Sequence, residues 1–98
     1  MNYTEIVRST PVVMVEFFAS WCPHCKRMAP IVDQIRELLG GMADIYSFDI
    51  DENRELADEQ NVESIPVFIV YRDGQEVWRH VGEIEAPALL AKIESFLK

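Results

Sequence analysis

Residues 12–18, VVMVEFF, restrict the fold more than any other segment. The run is short, rich in β-branched and aromatic side chains, and broken by a single carboxylate, Glu16. That pattern predicts a strand covered on both faces. Such a strand needs a packed layer above it and another below. A chain of 98 residues is long enough for one domain of that kind and too short for two, so residues 1–98 are expected to form a single domain.

The other segments supply the layers. From about Cys22 to Leu39 a helical pattern follows, with Met28, Ile31, Ile35 and Leu38 or Leu39 on one face and Gly40-Gly41 ending it. Pro30 lies inside this helix, removes one backbone donor and predicts a kink near its middle. Residues 44–49, DIYSFD, read as a second strand, and a short helix is expected near 53–60 with Asp51 as its cap. Residues 67–72, VFIVYR, are a third strand; Asp73-Gly74 is a hairpin signal, and 76–81 returns as a fourth. The last helix runs from about Glu85 to Leu97, with Ala86, Leu89 or Leu90, Ile93 and Phe96 or Leu97 as its apolar stripe. Met1–Arg8 has room for a short helix and little else.

The strand–helix–strand unit implies a parallel, right-handed crossover, and the closing hairpin is antiparallel. The expected fold is therefore α/β, a mixed four-stranded sheet with helices on both faces, ordered 44–49, 12–18, 67–72, 76–81. Strand 44–49 becomes an edge, where Asp44 and Asp49 oppose pairing with another chain. A monomer is expected, with an edge-strand dimer as the alternative.

A net charge of −8 argues against nucleic acid or an anionic membrane as partner. No apolar run approaches the roughly 20 residues of a membrane span. The first residues, MNYTEIVRST, lack a basic start followed by an apolar stretch, so a cytoplasmic protein is expected, with a trimmed periplasmic or secreted form as the alternative. Two cysteines are too few to staple a secreted domain. Spaced as Cys22-Pro23-His24-Cys25 at a helix start, they suggest redox work or half of a metal site.

Structural zinc usually takes four ligands, and beyond the cysteines only His24 and His80 offer nitrogen. His24 cannot easily close around the same ion, and His80 lies on the far hairpin. No metal is expected within one chain, which leaves only a site shared between two. Asp49, Asp51 and Asn53 imitate the start of a calcium loop, but Arg54 and Gln60 occupy the positions where that loop needs Gly and Glu. Redox chemistry remains, and it needs no bound cofactor. The first turn of a helix presents free N–H groups and a positive dipole end, which favour a thiolate on Cys22. Cys25, one turn deeper, is then the resolving thiol. Glu16, a carboxylate among apolar neighbours, should have a raised pKa.

VEFFASWC-x-x-C, Lys26, Ala29-Pro30, FDID at 48–51, V-x-x-I-P at 62–66, the Asp-Gly turn and Val81-Gly82 resemble the thioredoxin family in order and spacing over nearly the whole chain. The resemblance implies a thioredoxin fold whose first family strand is absent here, and a protein-disulfide oxidoreductase. It implies that Glu16 exchanges a proton with Cys25 through water, although Ser47 stands where many members pair a Lys with that acid. It further implies that Ile65 and a cis Pro66, with Trp21 and Gly82, form a groove for an extended substrate segment. Its implied partners are protein disulfides and a thioredoxin reductase-type electron donor.

Pro23-His24 departs from the Gly-Pro of ordinary thioredoxins and matches the periplasmic disulfide-forming oxidases. An imidazole there can donate to the Cys22 sulfur and stabilise the reduced form. Thioredoxin lies near roughly −270 mV and that oxidase near about −120 mV, a span on the order of 7 kcal/mol, part of which belongs to this dipeptide. A thioredoxin-like reductase is the first reading. An oxidase or isomerase, or a redox sensor without turnover, are the alternatives.

Overall fold

A computed structural model describes all residues, Met1–Lys98. The element order is α1 (Tyr3–Ile6), β1 (Val12–Phe18), α2 (Pro23–Leu39), β2 (Asp44–Asp49), α3 (Arg54–Glu59), β3 (Val67–Arg72), β4 (Gln75–Val81) and α4 (Ala86–Ser95). The strands form one sheet in the order β2-β1-β3-β4, as the sequence predicts. β1 pairs parallel with β2 and antiparallel with β3, and β3 pairs antiparallel with β4.

The pleat of β1 divides the core. Val12 and Met14 face α2 and α4, where they meet Met28, Val32, Ile35, Leu39, Leu89 and Ile93. Val13, Val15 and Phe17 face the opposite layer, with Val7, Ala57 and Tyr71. Burying each of these larger side chains contributes on the order of 1.5–3 kcal/mol. Glu16 falls on the α2 side by the same alternation and is buried.

Helix α2 begins where Cys22 serves as its N-cap and Pro23 takes the first position, for which the ring's fixed φ is suited. It runs unbroken past Pro30 to a C-cap at Gly40, φ 58°. Its buried face is Cys25, Met28, Val32, Ile35 and Leu39; Ile31 is half-buried and Leu38 is exposed. Helix α3 differs from expectation. Asn53, not Asp51, is its N-cap, and it makes no side-chain cap bond because its side-chain amide donates to the Asp49 carbonyl, while the Asp51 carboxylate is turned towards Trp21. At the hairpin Asp73 and Gly74 both have positive φ, 52° and 82°, as a tight two-residue turn requires.

Helix α1 docks by its tyrosine. Tyr3 packs against Phe17, Phe48 and Tyr71, and its hydroxyl lies 2.6 Å from that of Tyr71. Asn2 and Glu5 close a capping box at its start. β2 is an edge, but its first amide, Asp44, donates to Thr10 Oγ1 and its carboxylate accepts from Ser9. No helix is long and apolar enough to cross a membrane.

Ile93→Ala should cost about 2–5 kcal/mol in urea unfolding, because the site is fully covered by both α2 and the sheet. Leu38→Ala, on the exposed face of α2, should stay within about 0.5 kcal/mol.

Candidate active site

Both cysteines lie where β1 hands over to α2. Ala19, buried just past the end of β1, accepts from the Cys22 amide through its carbonyl at 3.2 Å. The Cys22 sulfur then caps the helix by accepting from the Cys25 amide at 3.2 Å. The two sulfurs are 2.6 Å apart, with the Cys25 thiol donating. The sequence places Cys25 deeper, yet exposure does not separate the pair: Cys22 is 3% and Cys25 4% exposed. They share one cover, the cluster of Ala19, Phe18, Ile50 and Ile65.

Electrostatics separates them instead. The Cys25 thiol is pushed well up, first by burial and then by its hydrogen bond to Cys22, and the charge of Glu16 adds to this. Cys25 thus retains its proton while Cys22 receives two donors. This asymmetry suits Cys22 to attack and Cys25 to follow.

Glu16 stands opposite Ser47 across β1 and β2, and Ser47 Oγ donates to its Oε1 at 2.8 Å. Burial raises the Glu16 pKa; the Ser47 hydrogen bond and the charge of Arg36 act against this, and Asp33 adds to it. A cavity of about 150 Å³ joins Glu16, Cys25, Asp33 and Ser47 beneath the first turns of α2. It has the volume and the polar partners that a water needs to link the carboxyl to the thiol.

Ile65, Pro66 and Gly82 come together beside the cysteines, while Trp21 is held apart by Asp51. The Ile65-Pro66 peptide is cis, Pro66 is buried, and Ile65 packs on the cysteine cluster. The Gly82 amide donates to the Pro66 carbonyl at 2.8 Å, and Gly82 has φ 98°, a left-handed backbone that a side chain would strain. Trp21 is 62% exposed, with Nε1 donating to Asp51 Oδ2 at 2.8 Å.

His24 differs from the expectation of a bond to Cys22. Its Nδ1 lies 2.6 Å from Glu83 Oε2 and 2.8 Å from Arg27 Nη2, and the Cys22 sulfur is bonded only within the pair. The cause is the carboxylate that follows Gly82, the nearest full negative charge to the ring. Arg27 and Glu83 lie outside the motifs that carry the family resemblance, and no motif announces the Asp51–Trp21 bond. The i,i+3 spacing of His24 and Arg27 places them on one face of α2 and was a usable signal for the first.

The thioredoxin family model matches residues 1–95. The chain is 41% identical over 81 residues to thioredoxin of Staphylococcus haemolyticus, covering 83% of this chain and 77% of that one. It is 32% identical over 98 residues to the chloroplastic thioredoxin Y of rice, covering 99% of this chain and 58% of that one. The chain thus spans little more than half of this chloroplastic relative. Among solved structures, a mutant thioredoxin from Halobacterium salinarum superposes with a TM-score of 0.89 at 30% identity, covering 97% of this chain and 82% of that one. Oxidised thioredoxin from Plasmodium falciparum gives 0.82 at 31%, covering 98% and 90%.

The raised pKa of Glu16 has a signed consequence. The native state holds this proton more tightly than the unfolded chain, so stability is lost as pH rises through the native value. Glu16→Gln should therefore gain stability over wild type at pH 8 compared with pH 4 in urea unfolding; an equal difference at both values would show the carboxyl to be unperturbed.

Proposed function

The chain belongs to the thioredoxin family, and on that premise we propose that it reduces protein disulfides through Cys22 and Cys25. The observation that carries this reading is the split between two adjacent thiols, one supplied with donors and one held protonated. Cys22 thiolate attacks a substrate disulfide, forms a mixed disulfide and releases one substrate sulfur, which takes a proton. Glu16, through the cavity beneath α2, accepts the Cys25 proton. The Cys25 thiolate then attacks Cys22, a disulfide closes within the pair, and the second substrate sulfur leaves. Two electrons and two protons pass to the substrate.

Ile65, Pro66, Gly82 and Trp21 receive the substrate as an extended segment beside the pair. Pro23 fixes the first turn of α2, on which the Cys22 cap depends. Residues 1–98 work as one domain and as a monomer, which the bonds from Ser9 and Thr10 to the edge strand favour. A thioredoxin reductase-type donor restores the dithiol. Having no cysteines beyond the pair suits a reducing compartment such as the cytoplasm.

Insulin disulfide reduction driven by dithiothreitol tests the reading. Wild type should accelerate precipitation of the insulin chains, and Cys22→Ser should abolish the acceleration. Cys25→Ser should instead accumulate a mixed disulfide with its substrate, visible as a mass increase that dithiothreitol removes. A wild type no faster than dithiothreitol alone would leave a thioredoxin-fold sensor or interaction module as the better account.

A further inference from the structure

The loop after β4 places a carboxylate against the mouth of the site. Arg27 grips it with Nε at 3.1 Å from Oε1 and 3.0 Å from Oε2, and with Nη2 at 2.8 Å from Oε2 of Glu83. The His24 Nδ1 sits between that guanidinium and that carboxylate. With a hydrogen on Nδ1 the ring donates to Glu83; without one it accepts from Arg27. Both forms of the ring therefore engage Nδ1 away from the Cys22 sulfur.

The backbone holds the carboxylate in this position. The Gly82 amide is bonded to Pro66, and the His80 Nε2 reaches the Glu83 carbonyl at 3.1 Å. Arg27 first, then His24, hold the Glu83 carboxyl down at about 2, so it stays ionised wherever thiols react. Arg27 in turn senses the charge of Cys22. Without Glu83, two basic groups would flank the first turn of α2 with nothing opposing them. Both would favour a Cys22 thiolate and hence the reduced pair.

The geometry points to Glu83 as a positioning residue that holds His24 off Cys22 and cancels the basic charge beside it, so that a Cys-Pro-His-Cys pair keeps a reducing poise. The inference rests on the thiol–disulfide reading above and concerns only where its equilibrium lies.

The test equilibrates wild type, Glu83→Gln, His24→Ala and the double variant with glutathione at pH 7. One Cys22–Cys25 disulfide and two glutathione thiols give one dithiol and one glutathione disulfide, so each variant yields one constant. The dithiol fraction is counted by mass after alkylation. Glu83→Gln should favour the dithiol about fivefold more than wild type, about 20 mV at roughly 30 mV per tenfold. His24→Ala should change the wild-type constant less than twofold, yet remove more than half of the logarithmic shift when added to Glu83→Gln. A looser loop alone would raise KM for insulin without moving these constants. The inference is overturned if Glu83→Gln shifts the constant less than twofold, or if half or more of its shift survives in the double variant. It is also overturned if His24→Ala shifts wild type twofold or more. If wild type forms no Cys22–Cys25 disulfide under any glutathione ratio, the oxidoreductase reading itself fails and takes this inference with it.

Discussion

Two-sided burial of β1 is the constraint on which the rest depends. A strand with both faces covered commits the chain to a helix layer on each side, and its pleat decides which residue meets which layer. Val12 and Met14 are bound to α2 and α4, and Val13, Val15 and Phe17 to the layer holding α1 and α3. The same alternation puts Glu16 under α2, at the one place where the apolar rule is broken. The acid is tolerated because a hydroxyl from the neighbouring strand donates to it and a small cavity, which Asp33 and Ser47 also line, opens beside it. The reactive end of the strand is thus produced by the packing that makes the strand stable.

Most of this was legible in the sequence, because it rests on local periodicity. The strands, their order, the helix start at the cysteines and the turn at Asp73-Gly74 follow from patterns a few residues long. What the sequence hid depends on distant partners. Asp51 looks like a helix cap until Trp21, 30 positions away, claims its carboxylate. Residues 76–81 read only as a returning strand, but the register of β4 with β3 shifts between the Val70–Trp78 and Tyr71–Glu76 pairs, leaving Val77 unpaired and exposed. Trp78 is then free to pack beside His80 and beneath Lys92.

The site shows the same division. Cys22, Cys25, Glu16, Ile65, Pro66, Gly82 and Trp21 could be named from motif and spacing, and the fold brings them to one end of the sheet. The relative depth of the two cysteines could not, because both sulfurs lie beneath one shared cover and differ in hydrogen bonding and charge. The partner of His24 was equally out of reach, since Glu83 is 59 residues away and enters only when the loop after β4 folds back. An acid below the pair and another beside it now bracket the cysteines. The buried one has its pKa raised and can take up a proton, while the exposed one is held ionised.

The bond from the Gly82 amide to the Pro66 carbonyl bears on how long a visitor stays. It stitches two irregular loops together, which helps to preorganise the wall beside the cysteines. The stitch also takes one main-chain donor out of circulation, and an incoming strand has fewer rungs on which to pair. On the proposed disulfide-exchange reading, a berth with few rungs would admit many sequences and hold none of them for long. Residence would then be governed by the transient covalent link to sulfur, and release by its resolution.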